Sequence, residues 1–274
     1  MTDSIRVEHV TKDFKLRYQR TFKQVTVAKL KGQKTSENFT AVDDVSFTVE
    51  QGESIGLMGL NGSGKSTLLK MINGVMSPDS GRILTRGRIA GLIATGAGFN
   101  PQLTGRENLM LNAAVLGMSE KETLRKFDSI VEFAELGSRL DTQVGHYSSG
   151  QNARLGFAIA IHVDSDIFLA DEVLAVGDKP FRKKCLQRME DVRDSGRTLF
   201  YVSHSAGTVQ RMCTRVVVLD RGRLAFDGDV EEGIAFLNYA EDDDDEGGKG
   251  RPRKGGRKGL KNAGLDDEEL GADI

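Results

Sequence analysis

The chain has 274 residues, which is enough for one large domain or two small ones with a full-sized core. Hydrophobic residues make up 38% and charged residues 28%, a composition typical of an ordinary globular protein. The net charge of −2 argues against broad nucleic-acid binding. Two cysteines are too few for a disulfide framework and favour a reducing compartment. No run reaches the roughly 18 apolar residues of a membrane span.

The first half of the chain predicts strands, a glycine-rich turn and a helix. Residues 5–10 are typical of a strand, and residues 41–49 alternate as a second strand does. Between them, residues 15–38 have no clear period and carry seven Lys or Arg against one Glu, so we interpret this stretch as a basic insertion. Residues 54–58 form a short apolar strand that enters the turn, and residues 65–73 continue with helical spacing.

The second half alternates between predicted helices and strands. Residues 105–137 are expected to be mostly helical with a break near 117–119, and a further helix follows Ser149. Later elements are strands at 167–170, 198–203 and 215–220 and helices at 181–193 and after His204. Strands that alternate with helices predict an α/β fold with a parallel sheet covered on both faces, and the helical block at about 100–163 suggests a subdomain.

The chain changes character after residue 240. Residues 241–246 are an unbroken acidic run, glycines with Lys and Arg follow up to residue 261, and residues 266–269 are acidic again. A segment of this composition cannot bury enough apolar surface to order itself. We therefore predict a folded domain over residues 1–240 and a disordered charged tail over residues 241–274.

The glycine-rich turn matches the phosphate-binding loop G-x-x-x-x-G-K-[ST]. In such a loop the glycines let backbone N–H groups converge on phosphate oxygens, and the positive end of the following helix points at them. Lys65 is expected to reach the β and γ phosphates of a nucleotide, and the Ser66 hydroxyl is expected to bind Mg²⁺. The residues predicted to bind nucleotide here are Gly59, Asn61, Gly62, Ser63, Gly64, Lys65, Ser66 and Thr67.

Two carboxylates follow the apolar strand predicted at residues 167–170. Asp171 can hold Mg²⁺ at this strand end, usually through water, opposite Ser66. The adjacent Glu172 can orient or deprotonate an attacking water, so we predict it as the catalytic carboxylate. A strand ending in Asp-Glu is equally typical of a solvated strand end, and the preceding phosphate loop favours the catalytic interpretation.

The segment Tyr147-Ser-Ser-Gly-Gln151 lies at the start of the helix predicted after Ser149. By spacing, Ser148 and Gln151 form a capping box, and such a helix start also attracts anions. The segment resembles the signature of ABC transporter ATPases, usually Leu-Ser-Gly-Gly-Gln. The resemblance implies that Ser148, Gly150 and Gln151 bind the γ-phosphate of ATP held by a second copy of the chain, with Ser149 replacing a glycine and Tyr147 the leucine.

The same resemblance implies roles for three further residues. His204, at a predicted strand end, matches the histidine that contacts the γ-phosphate and supports the catalytic glutamate. Asp178 falls at the family's D-loop, which crosses the interface between two copies. Phe14, just after the first strand, matches the aromatic residue that stacks on adenine, while a core phenylalanine would give the same pattern.

A narrower resemblance is carried by Asp171-Glu-Val-Leu-Ala-Val-Gly-Asp178 and by Gly96-Ala-Gly-Phe-Asn-Pro-Gln-Leu-Thr-Gly-Arg-Glu-Asn108. Both look like the ATPases of exporters that move lipid-linked O-antigen, teichoic acid or galactan across bacterial inner membranes. This implies ATP and Mg²⁺ as cofactors, an integral membrane permease subunit as partner, a second copy of the chain, and a lipid-linked polysaccharide substrate. It also implies a peripheral position on the cytoplasmic face of the inner membrane, with residues 91–118 receiving the permease. The fold expected with the resemblance is a P-loop α/β domain with a RecA-like core, a small antiparallel β portion and a helical subdomain.

One departure from the family pattern concerns a glutamine that touches magnesium and the attacking water. The positions that align with it are Ala94 and Thr95, and the nearest glutamine, Gln102, comes after Pro101. Either magnesium is held differently or Thr95 substitutes weakly.

Other functions share some of these motifs. An ABC importer ATPase has the same nucleotide motifs, and a neighbouring gene for a substrate-binding protein would favour it. An ABC-type translation or DNA-repair factor is a different class, and those of the translation type usually carry two ATPase modules, whereas this chain has one phosphate loop. The basic stretch of the tail would suit a nucleic-acid or acidic partner, but acidic blocks flank it, so no nucleic-acid partner is expected.

Overall fold

The computed structural model describes residues 2–17, 36–92, 98–171 and 178–237. The strands are β1 (Asp3–Arg17), β2 (Ser36–Glu50), β3 (Ser54–Met58), β4 (Ser80–Thr85), β5 (Ile89–Gly91), β6 (Ile167–Ala170), β7 (Thr198–Val202), β8 (Arg215–Asp220) and β9 (Arg223–Asp229). The helices are α1 (Lys65–Ile72), α2 (Gly105–Val115), α3 (Glu120–Ala134), α4 (Ser149–Ile161), α5 (Lys179–Asp194) and α6 (Ala206–Met212). Two 3₁₀ turns, Gly137–Asp141 and Val144–His146, precede α4, and residues 230–237 are helical. None of the helices in these ranges is long and apolar enough to cross a bilayer.

The main sheet has the strand order β5-β6-β7-β3-β8-β9 within the described ranges, and its pairs are parallel apart from β8 with β9. Every residue of β3, β6 and β7 is buried, which explains their largely apolar sequences. The sequence did not reveal β4, β5 or β9, because β4 and β9 are largely exposed and β5 has three residues. The predicted α/β fold, with a parallel sheet and a small antiparallel portion, is confirmed.

The antiparallel portion is a separate sheet of the order β2-β1-β4. Its first two strands pair from Asp3 and Glu50 to Arg17 and Ser36. The predicted strands at 5–10 and 41–49 were therefore too short, since the ladder continues into both ends of the predicted basic insertion. Residues 37–40 are exposed, so the apolar alternation that reveals a half-buried strand is missing there. Residues 18–35, the rest of that insertion, lie outside the described residues.

Three helices, α2, α3 and α4, follow one another between β5 and β6. Phe133 of α3 stacks on Phe157 of α4 with the ring centroids 5.8 Å apart, and it meets Phe181 of α5 edge-on at 5.8 Å. These rings join the helical region to α5. The boundaries of the subdomain, about 100–163, and of the 1–240 domain remain predictions, and residues 238–274, with the predicted tail, lie outside the described residues.

Candidate ATP-binding site

The phosphate loop connects β3 to α1 and has a backbone shape that requires glycine. Gly59, Gly62 and Gly64 have φ values of 140°, 81° and 103°. A Cβ at Gly59 would lie 2.2 Å from the carbonyl oxygen of Leu219, and one at Gly64 would lie 2.3 Å from that of Ala41. At Gly62 a Cβ would meet nothing within 4 Å. Neighbouring backbone atoms therefore lie too close for a side chain at Gly59 and Gly64, whereas the loop is open at Gly62.

Lys65 begins α1 and turns back over the loop. Its side chain is almost fully buried, and its ammonium donates to the carbonyl oxygens of Gly59 at 2.6 Å and Leu60 at 2.8 Å. Within the described part of the chain no side chain caps the N-terminus of α1, and the first turn of this helix contains no acidic residue. The positive end of the helix and the ammonium therefore lie at the same place, where an anion is stabilised.

The residues present fit the phosphate groups of a nucleotide. The hydroxyl oxygen of Ser63 is buried and has no hydrogen-bond partner among the described residues, which is an unfavourable state for a buried polar group. The adjacent Gly62 leaves open space, and Ser66 at the second helical position is exposed. A phosphate oxygen would supply the missing partner for Ser63. Asn61 of the same loop is exposed, and Thr67 at the third position of α1 is half-buried.

The other predicted residues of the hydrolytic site follow neighbouring strands. Asp171 comes directly after β6, and His204 comes two residues after β7. The order β6-β7-β3 places both at the same sheet edge as the phosphate loop, because parallel strands share their carboxyl ends. The backbone N–H of Ser203 donates to the carbonyl oxygen of Leu57 at 3.4 Å, which continues the β7–β3 ladder toward that edge. Glu172 lies outside the described residues.

Phe14 lies on β1, half-buried and directly opposite Phe39 of β2. The ammonium of Lys12 lies 5.9 Å from the centre of the Phe14 ring and pairs with Asp79 at 3.0 Å. β2 reaches the phosphate loop two residues after Phe39, through Ala41. The aromatic residue is therefore on the strand pair that borders the loop, and its stacking on adenine remains a prediction.

The signature segment caps α4. The Ser148 hydroxyl accepts from the Gln151 backbone N–H at 3.2 Å, and the Gln151 side chain accepts from the Ser148 N–H at 3.0 Å. The capping box predicted from spacing is confirmed. Ser148 is exposed and Gly150 half-buried, so this helix end is accessible to a second molecule. Its contact with a nucleotide remains a prediction.

Tyr147, which the sequence marked only as a departure from the usual leucine, fixes the signature segment to α2. It is largely buried, its hydroxyl donates to the Arg139 carbonyl oxygen at 2.7 Å, and burial raises its pKa. Gly105, the first residue of α2, lies so close that a Cβ there would be 2.1 Å from the Tyr147 hydroxyl. Glycine is needed at residue 105 because the tyrosine occupies the space.

Replacing Gly105 by alanine should destabilise the protein by about 1–3 kcal/mol, the usual effect of overpacking. The new methyl group would also lie 3.0 Å from the Leu140 carbonyl oxygen, so moving the tyrosine alone cannot relieve it. Urea unfolding measures the change. Gly207→Ala in α6 is the control, since a Cβ there meets nothing within 4 Å.

A second variant, Tyr147→Phe, tests whether Gly105→Ala destabilises the protein through contact with Tyr147 or through a general effect on α2. Tyr147→Phe alone removes one hydrogen bond and should destabilise by about 1 kcal/mol. Combined with Gly105→Ala it removes the closest clashing atom, so the double variant should be less destabilised than the sum of the two single ones. Strict additivity would contradict this packing argument.

One residue of the site region was missed by sequence reasoning. Arg154, three residues after Gln151 on α4, donates to Asp178 at 2.8 Å and to Glu135 at 2.8 Å. Asp178 is also the N-cap of α5 and accepts from the Phe181 backbone N–H at 3.3 Å. No sequence signal pairs an arginine with carboxylates 19 and 24 residues away, so this contact required the structure.

The fold and the phosphate loop define the class as P-loop nucleotide-binding proteins. The sequence model described as ABC transporter matches residues 42–175. Among solved structures, an ATP-binding subunit of an ABC transporter superposes with a TM-score of 0.67 at 25% identity, over 86% of this chain and 98% of that one.

Relatives of similar sequence narrow the class to a family. The chain is 44% identical over 211 residues to the O-antigen export system ATP-binding protein RfbB of Klebsiella pneumoniae, covering 77% of this chain and 84% of RfbB. It is 39% identical over 232 residues to the teichoic acids export ATP-binding protein TagH of Staphylococcus haemolyticus, covering 85% and 87%. It is 47% identical over 191 residues to the ABC transporter protein AbcA of Aeromonas salmonicida, covering 70% of this chain and 62% of AbcA.

The chain belongs to the ABC transporter family, whose ATP-binding subunits couple ATP hydrolysis to transport. It spans most of the length of the Klebsiella RfbB and the Staphylococcus haemolyticus TagH, but less than two thirds of the length of AbcA and of the RfbB of Myxococcus xanthus.

Proposed function

We propose that this protein is the ATP-binding and hydrolysing subunit that powers export of a lipid-linked polysaccharide through a separate membrane-spanning subunit. The observation that carries the proposal is the 44% identity to RfbB over 84% of its length, since RfbB is named for O-antigen export. TagH, named for teichoic acid export, is similar over an even larger share of this chain. Both named substrates are cell-surface polymers, which supports a polysaccharide as the class.

The nucleotide site supports ATP as the fuel. Lys65 and the N–H groups of the phosphate loop bind the β and γ phosphates, and the Ser63 hydroxyl gains the partner it lacks. Ser66 and Asp171 would hold Mg²⁺, and the bound ion would neutralise charge on the phosphates. Glu172 takes the proton of the attacking water, and His204 contacts the γ-phosphate from the next strand.

Two copies of the chain form the complete catalytic unit in this proposal. Each site takes its phosphate loop from one copy and the end of α4, with Ser148, Gly150 and Gln151, from the other. The accessible capping box supports this arrangement, because a helix N-terminus binds anions through its N–H groups. Closure of the pair on ATP drives transport, and hydrolysis resets it.

The membrane-spanning subunit would be bound by residues 91–118, which places the protein on the cytoplasmic face of the inner membrane. Leu111 and Val115 are exposed apolar residues one turn apart on α2, within this stretch. Of the loop before α2, residues 93–97 with Ala94 and Thr95 lie outside the described residues. Asn108 anchors the rest of that loop, because its buried side chain bonds to Asn100 and Leu103.

A complementation experiment tests the function. In a strain that lacks the gene, wild-type protein should restore the surface polysaccharide, whereas Glu172→Gln should leave lipid-linked polymer inside the cell. Asp166→Asn is the control variant at the other end of β6, since asparagine can still accept from the Arg88 N–H. Intact surface polysaccharide in the deletion strain, with a lost uptake activity, would show an importer instead.

A further inference from the structure

A network of charged side chains connects the signature helix α4 to the N-terminus of α5. Arg154 of α4 lies between two carboxylates, with Nη1 2.8 Å from Oε2 of Glu135 and Nη2 2.8 Å from Oδ1 of Asp178. Its guanidinium also lies over the Phe181 ring, 4.5 Å from the centroid. The two carboxylates and the Phe181 ring together fix the position and orientation of the planar guanidinium. A lysine cannot reproduce this arrangement, because its ammonium is neither planar nor forked.

We propose that Arg154 is a positioning residue that locks Asp178 to the signature helix, so that both elements of one copy reach the nucleotide of the other copy as one rigid unit. The inference rests on the proposed function, since it requires two copies to close on ATP. It concerns how the two elements are held and adds no residue that touches the nucleotide.

The hydrogen bond from Arg154 to Asp178 is the contact that links α4 to the N-terminus of α5. Oδ1 of Asp178 accepts both from Nη2 of Arg154 and from the Phe181 N–H, so the ion pair and the N-cap of α5 share one atom. Asp178 is 60% exposed, whereas Arg154 is 17% exposed. The mostly buried Arg154 therefore fixes the orientation of the exposed Asp178 side chain.

Glu135 has a second partner, Lys184, which it keeps when Arg154 is removed. It also accepts from the ammonium of Lys184 at 2.8 Å, and this hydrogen bond is the main reason that the pKa of Glu135 is lowered. Lys184 in turn donates to the Phe133 carbonyl oxygen at 3.1 Å. Removal of Arg154 therefore leaves the Glu135–Lys184 contact in place and breaks the link between Asp178 and α4, so that Asp178 keeps only its N-cap hydrogen bond to the Phe181 N–H.

The test measures ATP-driven dimerisation in a Glu172→Gln background, in which hydrolysis is blocked. Arg154→Gln should weaken dimerisation by about tenfold or more, the scale of one lost charge-assisted hydrogen bond, and Arg154→Lys should not restore it. ATP affinity of the monomer should stay unchanged, because the phosphate loop is untouched. Asp178→Asn should have a similar effect, and the double variant should add little to either single one.

Controls separate positioning from folding. Arg106 also pairs with a carboxylate and lies over an aromatic ring, since it is 3.0 Å from Asp141 and 5.0 Å from the centroid of the Phe127 ring. Arg106→Gln should leave dimerisation unchanged. Thermal unfolding of each variant shows whether the fold survives. If folded Arg154→Gln dimerises normally, or if the effects of Arg154→Gln and Asp178→Asn are additive, the inference is wrong while the proposed function still stands. Failure of the Glu172→Gln protein itself to dimerise with ATP overturns the inference together with the proposed pair of copies.

Discussion

Replacing Glu172 by glutamine is expected to lower ATP turnover by about 10²-fold or more. Glutamine keeps the shape of the side chain but cannot accept a proton from the attacking water. ATP binding should survive, because the phosphate loop and Lys65 are unchanged, and closed pairs of the chain should accumulate. Steady-state phosphate release measures the loss, and size-exclusion chromatography with ATP measures the accumulation.

The control for this variant is Asp166→Asn, at the amino end of the strand whose carboxyl end precedes Asp171. The Asp166 side chain accepts from the backbone N–H of Arg88 at 2.7 Å, a bond that asparagine can keep. Its turnover should be close to wild type. Hydrolysis by Glu172→Gln at a comparable rate would remove Glu172 from the catalytic role.

Replacing Lys65 by alanine is expected to weaken ATP binding by about 10- to 100-fold, since charge-assisted hydrogen bonds to the phosphates are lost. Turnover at cellular ATP concentrations should fall with it. The fold should survive, because the bonds that Lys65 makes to the Gly59 and Leu60 carbonyl oxygens lie within a loop shaped by glycines. Isothermal titration with a non-hydrolysable ATP analogue measures the affinity.

Lys70→Ala is the matched control, because Lys70 lies on the same helix and is exposed. Its nucleotide affinity should equal that of wild type. If Lys65→Ala binds the analogue as tightly as Lys70→Ala does, the loop does not bind the phosphates in the proposed way.

Local patterns were sufficient for much of the fold. β3, β6 and β7 are buried on both faces, so their sequences are largely apolar. Their short length and the polar or glycine residues that flank them favour strands without knowledge of the neighbouring strands. The Ser148–Gln151 capping box lies within four consecutive residues, so its spacing alone predicts it. The phosphate loop is likewise contiguous, so the order of its residues is enough to recognise the motif.

Long-range contacts decided the rest. The length of β1 and β2 beyond the buried part depends on cross-strand hydrogen bonds, which leave no apolar pattern in exposed residues. Gly59 and Gly64 are required because backbone of Leu219 and Ala41 presses on them, and Gly105 because Tyr147 fills the space.

For the candidate site, the sequence determined which residues carry the chemistry, because phosphate and metal binding need particular side chains in a short contiguous order. It could not determine how the elements are held together. Arg154 meets Asp178 where α4 and α5 pack together through Phe157 and Phe181. Many arginines and aspartates in the chain could form such a pair, and only tertiary packing selects one, because the energy of a charge pair depends on its distance and burial.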